Sequence, residues 1–430
     1  MAPPQRAGIT TVTMSLVVAC AVLVVWTSID GVVANEGVIV TDKTGAMQIN
    51  SSDPAVLPVY LNGRDVLSLI EEQRSFIQAQ STLLEQQGEL IANQSRVIST
   101  LQQDVCALHP PHLGRIPGAG SGRHKWAGGV LGPNRLIYGV PHYATSVLII
   151  NPATHTHDTT TITGLPLTGS KWTNGVLAPT NNIIYCFPRY ADSVLKIDPA
   201  TNTADWTTIT GVGTGADKFR SGVLHPNGLI YGMPFSASFV LIIDPTSDSI
   251  DKTTLNGLSS DIYKWWGAVV VPDGRIFGIP RNADSVLIID PATNTLDTTS
   301  IAGFDSGGAK WFGGVLANNG LIYGIPYFAT SVLIIDPETI TADTTTIAGL
   351  PGGGSWLGGV LAAHGKVVGI PRHADNVLIV NTATNTADTT TLTGAGTERD
   401  KWQEGVLADN GLVYAIPMVA NQVLVIDVGC

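Results

Sequence analysis

The chain is 430 residues long, enough for more than one domain and a sizeable core. With 13% charged residues and 47 glycines it has the composition of a turn-rich sheet protein. A formal charge of -11, with no long run of Lys or Arg, argues against nucleic acid and against a polyanion as partner, since such binding rests on neutralising phosphates.

Residues 9–26 (ITTVTMSLVVACAVLVVW) form an uncharged, mostly apolar run behind Arg6, with Asp30 and Glu36 beyond it. The only early basic side chain precedes the run, so the N-terminus is expected in the cytosol and the bulk of the protein outside it. Two readings stand near even, a signal peptide cut after Val32-Val33-Ala34 or an uncleaved type II anchor, since the run is shorter than the roughly 20 residues of a comfortable span yet long for a signal-peptide core of about 7–15; the anchor is preferred. Residues 1–34 are assigned to this segment. A short β-rich neck follows over 35–64, with extended pieces at Val38-Ile39-Val40, Ala46-Met47-Gln48-Ile49 and Val56-Leu57-Pro58-Val59-Tyr60-Leu61, the last ended by an Asn62-Gly63 turn.

A helical pattern occupies 65–106. Leu69, Phe76, Leu83, Leu90 and Val97 recur every seven residues, as do Ile70, Ile77, Leu84, Ile91, Ile98 and Val105. Gln73, Gln80, Gln87 and Gln94 fall angularly between these columns, giving a broad apolar stripe with a polar centre. Such width suits three helices better than two, and Gln side chains can bond one another across an axis while fixing register. The expectation is a coiled-coil stalk, a homotrimer, ended by Pro110-Pro111; a single amphipathic helix lying on the rest of the protein is the alternative. Sequons stand at Asn50 and Asn93, the second on the helix, both candidates for glycosylation in a secretory pathway.

From Lys125 onward one sentence is repeated seven times. Trp126, Trp172, Phe219, Trp265, Trp311, Trp356 and Trp402 lie 46, 47, 46, 46, 45 and 46 residues apart. In the copy at Trp311 four strand-like pieces, GGVL, LIYGIP, SVLIID and DTTTI, are separated by turn chemistry at Asn319-Gly320, after Pro326 and at Asp336-Pro337. Four strands in such a period make one propeller blade. The first and last copies resemble the middle ones, whereas a solenoid needs polar caps. The fold expected for 107–430 is therefore an all-β seven-bladed propeller. The seventh copy stops after Val423-Leu424-Val425-Ile426-Asp427 without its DTTTI piece, and His112-Leu113-Gly114-Arg115-Ile116 lies in the missing register, Ile116 preceding its Trp by the same ten residues as Ile162. This segment is expected to complete the last blade.

Cys430 lies 28 residues after Trp402 and Cys106 lies 20 before Trp126, together 48, close to one repeat. In a closed ring outside the cytosol the two are expected to meet as a disulfide; two unpaired thiols are the alternative. Cys20 belongs to the membrane run, and Cys186 replaces a blade glycine as a small buried thiol.

Over residues 112–430 the sequence resembles the kelch-like propeller proteins of unicellular algae and some of their large viruses, built on repeats of the type KWxGGVLAxNGxIYGIPxxAxSVLIIDPxTxTxDTTTI. The resemblance implies a propeller and no particular activity. The double glycine of ordinary kelch repeats stands only at Gly128-Gly129, Gly313-Gly314 and Gly358-Gly359.

Function then has to come from the loops. The two positions after the Pro of the GIP strand are among the most variable from copy to copy: His142-Tyr143, Arg189-Tyr190, Phe235-Ser236, Arg281-Asn282, Tyr327-Phe328, Arg372-His373 and Met418-Val419. The candidate ligand-binding residues are His142, Tyr143, Arg189, Tyr190, Arg281, Asn282, Tyr327, Phe328, Arg372 and His373, with Lys125, Lys171, Lys218, Lys264, Lys310 and Lys401 near by. Aromatic rings beside hydrogen-bonding groups suit a sugar or a peptide; exposed loop tips free to drift are the plain alternative. The paired acids Asp198/Asp205, Asp290/Asp297 and Asp336/Asp343 could bind Ca²⁺, but local turn bonding explains them and no metal or cofactor is assigned. No HExxH, GxSxG or P-loop pattern occurs. The reading is a non-enzymatic surface protein, membrane-anchored or secreted, whose head binds an extracellular protein or glycan. A structural coat or appendage subunit is one alternative. A lactonase-like propeller hydrolase, for which the inner strands offer only Glu404, is the other.

Overall fold

The computed structural model describes residues 38–41, 47–50, 60–61 and 64–429, with side chains over 68–98 and 109–429. The expected membrane segment at 9–26, the site after Ala34 and Cys430 lie outside the described residues, as do the side chains of Asn50 and Cys106. Among the described residues no helix is long and apolar enough to cross a membrane. The chain divides into two units, 1–102 and 103–430.

In the first unit Val38–Thr41 pairs antiparallel with Met47–Asn50, and Tyr60–Leu61 with Arg64–Asp65. One helix, α1, runs Val66–Leu108. Its apolar columns face solvent: Ile70, Phe76, Ile77, Leu83, Leu84, Leu90, Ile91, Val97 and Ile98 are each more than half exposed. Asn93 is exposed as well.

The second unit is a seven-bladed propeller of four-stranded antiparallel sheets. The fifth blade shows the pattern: Trp311–Leu316 innermost, then Ile322–Pro326, Leu333–Asp336 and the short outer Thr341–Asp343. The seven innermost strands surround a central channel walled by Gly, Val and Leu side chains such as Gly129, Val176, Leu224, Val269 and Val406. The expected outer strand at DTTTI is shorter than its sequence suggests. The strand ends at the Asp, whose carboxylate takes the next turn: Asp343 accepts hydrogen bonds from Thr345 N at 2.6 Å and Thr345 Oγ1 at 2.7 Å. Asp and Thr here offer the backbone a local alternative to the ladder. Only the final apolar residue returns to the sheet, as in the first blade, where Val147 N donates to Ile162 O at 3.0 Å.

The last blade consists of Trp402–Leu407, Val413–Pro417, Gln422–Asp427 and, from the start of the unit, His112–Pro117. The latch pairs over six residues, from Gln422 opposite Pro117 to Asp427 opposite His112. Ile116 stands opposite Val423, the place Ile162 holds against Val147 in the first blade, so the expected register is found. Within the second unit Gly429 approaches His109, where an added Cβ would lie 3.0 Å from His109 O.

The tryptophans are wedges between blades. Trp402 packs with Val360, Val368 and Ile370 of the sixth blade and Val413 of its own, while its Nε1 donates to Gln422 O at 2.9 Å. Trp126 closes the ring against Val406, Tyr414 and Ile416 of the seventh blade. A polar clasp adds to this on the opposite face. Asn134 Nδ2 donates to Tyr138 Oη at 2.9 Å and to Pro199 O at 3.0 Å in the next blade, and Tyr138 Oη donates to Asn202 Oδ1 at 2.9 Å. Asn410 and Tyr414 make the corresponding reach from the seventh blade to Pro152 O in the first, each at 3.2 Å.

Candidate functional site

Each innermost strand carries one extra residue. In the fifth blade Trp311 opposes Pro326 and Gly314 opposes Gly324, leaving Phe312 and Gly313 against Ile325 alone, a β-bulge. The second residue after the Trp is left-handed in six copies, Gly128, Asn174, Gly267, Gly313, Gly358 and Glu404, with φ between 48° and 88°. Glycine is demanded at Gly267, where a Cβ would come within 2.6 Å of Gly313 Cα. The first residue after the Trp is buried in every copy: Ala127, Thr173, Arg220, Trp266, Phe312, Leu357 and Gln403.

Four of these, Arg220, Trp266, Phe312 and Gln403, line one recess at the channel mouth together with the loop residues His142, Tyr143, Arg189, Tyr190, Arg281, Tyr327 and Arg372. His124, Ser170 and Met418 complete the wall of a cavity of about 300 Å³. Seven of the ten loop residues expected from the sequence are thus brought together. Asn282, Phe328 and His373 are not. Asn282 and Phe328 line interblade clefts elsewhere, and His373 is occupied at the rim by Asp400, Nε2 to Oδ1 at 3.2 Å. The four inner-strand residues escaped sequence reasoning, though one signal was present: the position after the Trp varies through Ala, Thr, Arg, Trp, Phe, Leu and Gln while its neighbours barely change.

Four guanidiniums and a run of rings make the recess. Arg189 Nε meets Asp217 Oδ1 at 2.5 Å, and Arg372 Nη2 meets Asp400 Oδ1 at 2.5 Å. Arg220, 8% exposed, lies 4.3 Å over the ring of Trp266 and 4.9 Å from that of Phe235, with Asp217 at 3.6 Å. Burial first, and then the nearby Arg189, lower its pKa; a guanidinium keeps its proton regardless, so its charge is held against that penalty. Arg281 stacks among Tyr263, Phe312 and Phe235 at 5.0–5.4 Å and bonds only Asn282 Oδ1, at 3.1 Å.

The remaining ionisable groups do not balance these charges. His142 Nε2 accepts from Arg189 Nη1 at 2.8 Å while its Nδ1–H donates to Trp172 O at 3.1 Å, so the ring is neutral. Burial and Arg189 push its pKa down to about 2. Burial raises the carboxyl of Glu404, which takes a hydrogen bond from Trp266 Nε1 at 3.4 Å. Three buried polar atoms at or beside the recess have no partner: Arg220 Nε, Arg281 Nε and Gln403 Oε1. A larger cleft of about 570 Å³ lies around Asp261 and Asp284, but none of the unpartnered buried atoms lines it.

The lysines expected beside the ligand face are instead buried struts. Lys171 is 1% exposed, and its Nζ donates to the carbonyls of Ala144 at 3.0 Å, Thr168 at 3.2 Å and His142 at 3.3 Å. Lys125, Lys218, Lys264, Lys310 and Lys401 bind loop carbonyls in the same manner. Burial lowers each ammonium to about 8. In the sixth blade Ser355 takes the place, its hydroxyl donating to Pro351 O at 3.1 Å. The paired acids likewise serve their own turns, Asp198 accepting from Ala200 N at 2.8 Å and Asp205 from Thr207 N at 2.8 Å. Among the described residues no group of three or more His, Cys, Asp or Glu is placed to hold a metal ion. Cys186 is a buried free thiol, as expected.

No protein-family model and no curated protein matches the sequence. Among solved structures the chain is similar to a streptogramin B lyase (TM-score 0.59, 11% identity, 73% of this chain and 97% of the other). It is also similar to virginiamycin B lyase from Staphylococcus aureus (TM-score 0.58, 10% identity, 73% and 98%). A third similar structure is the extracellular domain of a protein of B. thetaiotaomicron described as a one component system (TM-score 0.54, 14% identity, 74% of this chain and 42% of that one). At such identities the likeness establishes the fold, a seven-bladed β-propeller.

Proposed function

We propose that the propeller is the binding head of an extracytoplasmic protein, that its ligand sits in the recess at the channel mouth, and that α1 gathers three copies into one stalk. The observation that carries the reading is the recess itself. Seven of the ten variable-loop residues and four variable inner-strand residues converge there, with unpartnered buried donors and acceptors among aromatic rings. The lactonase-like alternative needs acidic ligands in the channel, whose wall is Gly, Val and Leu, with Glu404 turned against Trp266. Glycan-array and pull-down screens with the full-length protein, beside an Arg372→Ala, Tyr143→Ala double variant, test the site. Binding undiminished in the variant refutes it.

The stalk reading rests on the stripe of nine large apolar side chains left in solvent along α1, with Gln73, Gln80, Gln87 and Gln94 between them. The mass of the full-length protein in solution decides it, and a monomer refutes it. The Cys106–Cys430 disulfide belongs to the same proposal, supported by the approach of Gly429 to His109. A 106–430 linked peptide is expected in non-reducing digests. An extracytoplasmic location draws its support from the apolar run at 9–26 and from the extracellular propeller of similar fold.

A further inference from the structure

We infer that the recess recognises an acidic sugar unit: one carboxylate or sulfate gripped by Arg220 and Arg281, its ring beside the partly exposed Tyr143 and Tyr190. The inference rests on the binding-head reading above and specifies its ligand.

The argument is one of charge and of unmet hydrogen bonds. Four guanidiniums surround the recess, and among the described residues two carboxylates pair with them, Asp217 and Asp400. His142 is neutral between Arg189 and Trp172 O, so it adds no compensating charge. Two positive charges are therefore left over in a place largely removed from water. An unpaired buried charge is costly, and a protein keeps one where a partner arrives later. Arg281, which has no carboxylate partner among the described residues, and Arg220, which shares Asp217 with Arg189 at 3.6 Å, have their faces covered by aromatic rings, which leaves N–H edges for a ligand. On each of them Nε is buried without an acceptor. A carboxylate or sulfate offers the paired oxygens that a guanidinium fork binds best.

The remainder of the wall describes the rest of the ligand. Gln403, 1% exposed with Oε1 unpartnered, provides an acceptor for a hydroxyl donor. The rings of Trp266 and Phe312, each 3% exposed and 4.3 Å apart, back the two guanidiniums, while the partly exposed rings of Tyr143 and Tyr190 in the wall offer aromatic faces to a sugar ring. A volume of about 300 Å³ admits one or two sugar units. The net charge of -11 opposes a long polyanion in general, and a recess of this size reads one acidic unit rather than a chain of them.

The test uses the full-length protein, read by tryptophan fluorescence, since Trp266 abuts Arg220, and by thermal shift. The probes are sodium glucuronate, glucose and sodium sulfate, with the variants Arg281→Gln and Arg220→Gln. Glucuronate is expected to bind saturably and to raise Tm, glucose at least tenfold more weakly, and sulfate to compete with glucuronate. Arg281→Gln is expected to weaken glucuronate at least tenfold while leaving Tm of the free protein unchanged or higher, because it removes an uncompensated charge. If Arg220→Gln fails to fold, Arg281→Gln decides alone. Equal affinity for glucose and glucuronate overturns the acidic-sugar inference but leaves the binding-head reading standing. Binding unaffected by Arg281→Gln, or no response to glucuronate and sulfate at 10 mM, on the order of ten times a weak lectin-like Kd of about 1 mM, also overturns it. In those cases the array screen with the Arg372 and Tyr143 variant judges the binding-head reading independently. Preference for an acidic peptide over glucuronate overturns it in favour of a protein ligand.

Discussion

Replacing Ile116 by Ala measures the latch directly. Ile116 is 5% exposed and sits with Trp126, Ile137, Val406 and Tyr414 in the seam between the last and first blades. The change removes three carbons, about 2.4 kcal/mol at roughly 0.8 kcal/mol each, and the residual cavity brings the loss to about 3–4 kcal/mol. For a domain of this size about 2 °C is lost per kcal/mol, so Tm is expected to fall by roughly 6–8 °C. Ile162→Ala is the matched control: Ile162 is 4% exposed at the same register in the first blade, where the chain is continuous. Thermal unfolding followed by tryptophan fluorescence compares the two. If Ile116→Ala moves Tm by less than about 1 °C while Ile162→Ala lowers it by several degrees, the latch is not part of the cooperative fold and the reasoning fails.

Glu404→Gly is expected to stabilise the head at pH 7. It relieves a left-handed φ of 64°, worth about 1 kcal/mol, and removes a carboxyl whose pKa burial raises. A folded pKa above the ordinary 4.5 means the folded state holds its proton longer, so the gain from the substitution should grow as pH rises past that value; a gain independent of pH leaves only the backbone part. Acid should loosen the outer turns. Asp158, Asp205, Asp251, Asp297, Asp343 and Asp388 are each lowered to about 2 from an ordinary 3.8: in Asp158, Asp251 and Asp343 first by the threonine hydroxyl each accepts, and in Asp205, Asp297 and Asp388 against an opposing burial, by hydroxyl and backbone donors that outweigh it, the hydroxyl at Asp297 being led by Ser300. Their contribution is complete above 3.8 and lost as pH falls towards 2, a few tenths of a kcal/mol each after solvent screening, visible as a steady fall of Tm between pH 4 and 2. Lys171→Met strands three loop carbonyls and should cost about 2–3 kcal/mol in urea unfolding. A loss below about 0.5 kcal/mol would show the strut to be idle.

Periodicity made the scaffold legible. The Trp spacing marks the blades, the missing seventh DTTTI points to 112–116, and Ile116 lies opposite Val423 as the ten-residue offset from Trp126 requires. Three features were hidden from such counting. The bulge after each Trp adds a residue, so simple alternation misplaces Arg220, Trp266, Phe312 and Gln403, which the extra residue turns into the channel mouth. The lysine that precedes the blade's aromatic residue in six of the seven copies reads as a charged loop group, yet it lies under the loop because its ammonium meets several carbonyls at once, three for Lys171. The DTTTI run reads as a strand by its threonines, but its leading Asp captures the backbone first. In each case a side-chain bond to backbone, or a single inserted residue, outweighs the pattern.

The latch has a consequence for the timing of synthesis. His112–Pro117 emerges before any complete blade, and its partner Gln422–Asp427 emerges about 300 residues later. At the roughly 5–20 residues per second of translation, the latch waits some 15–60 s with its pairing edge open. During that interval the ring is a growing arc with two exposed sheet edges, the kind of surface that recruits chaperones or a neighbouring chain. Exchange of latch strands between neighbouring nascent copies is the misassembly such a ring must outrun.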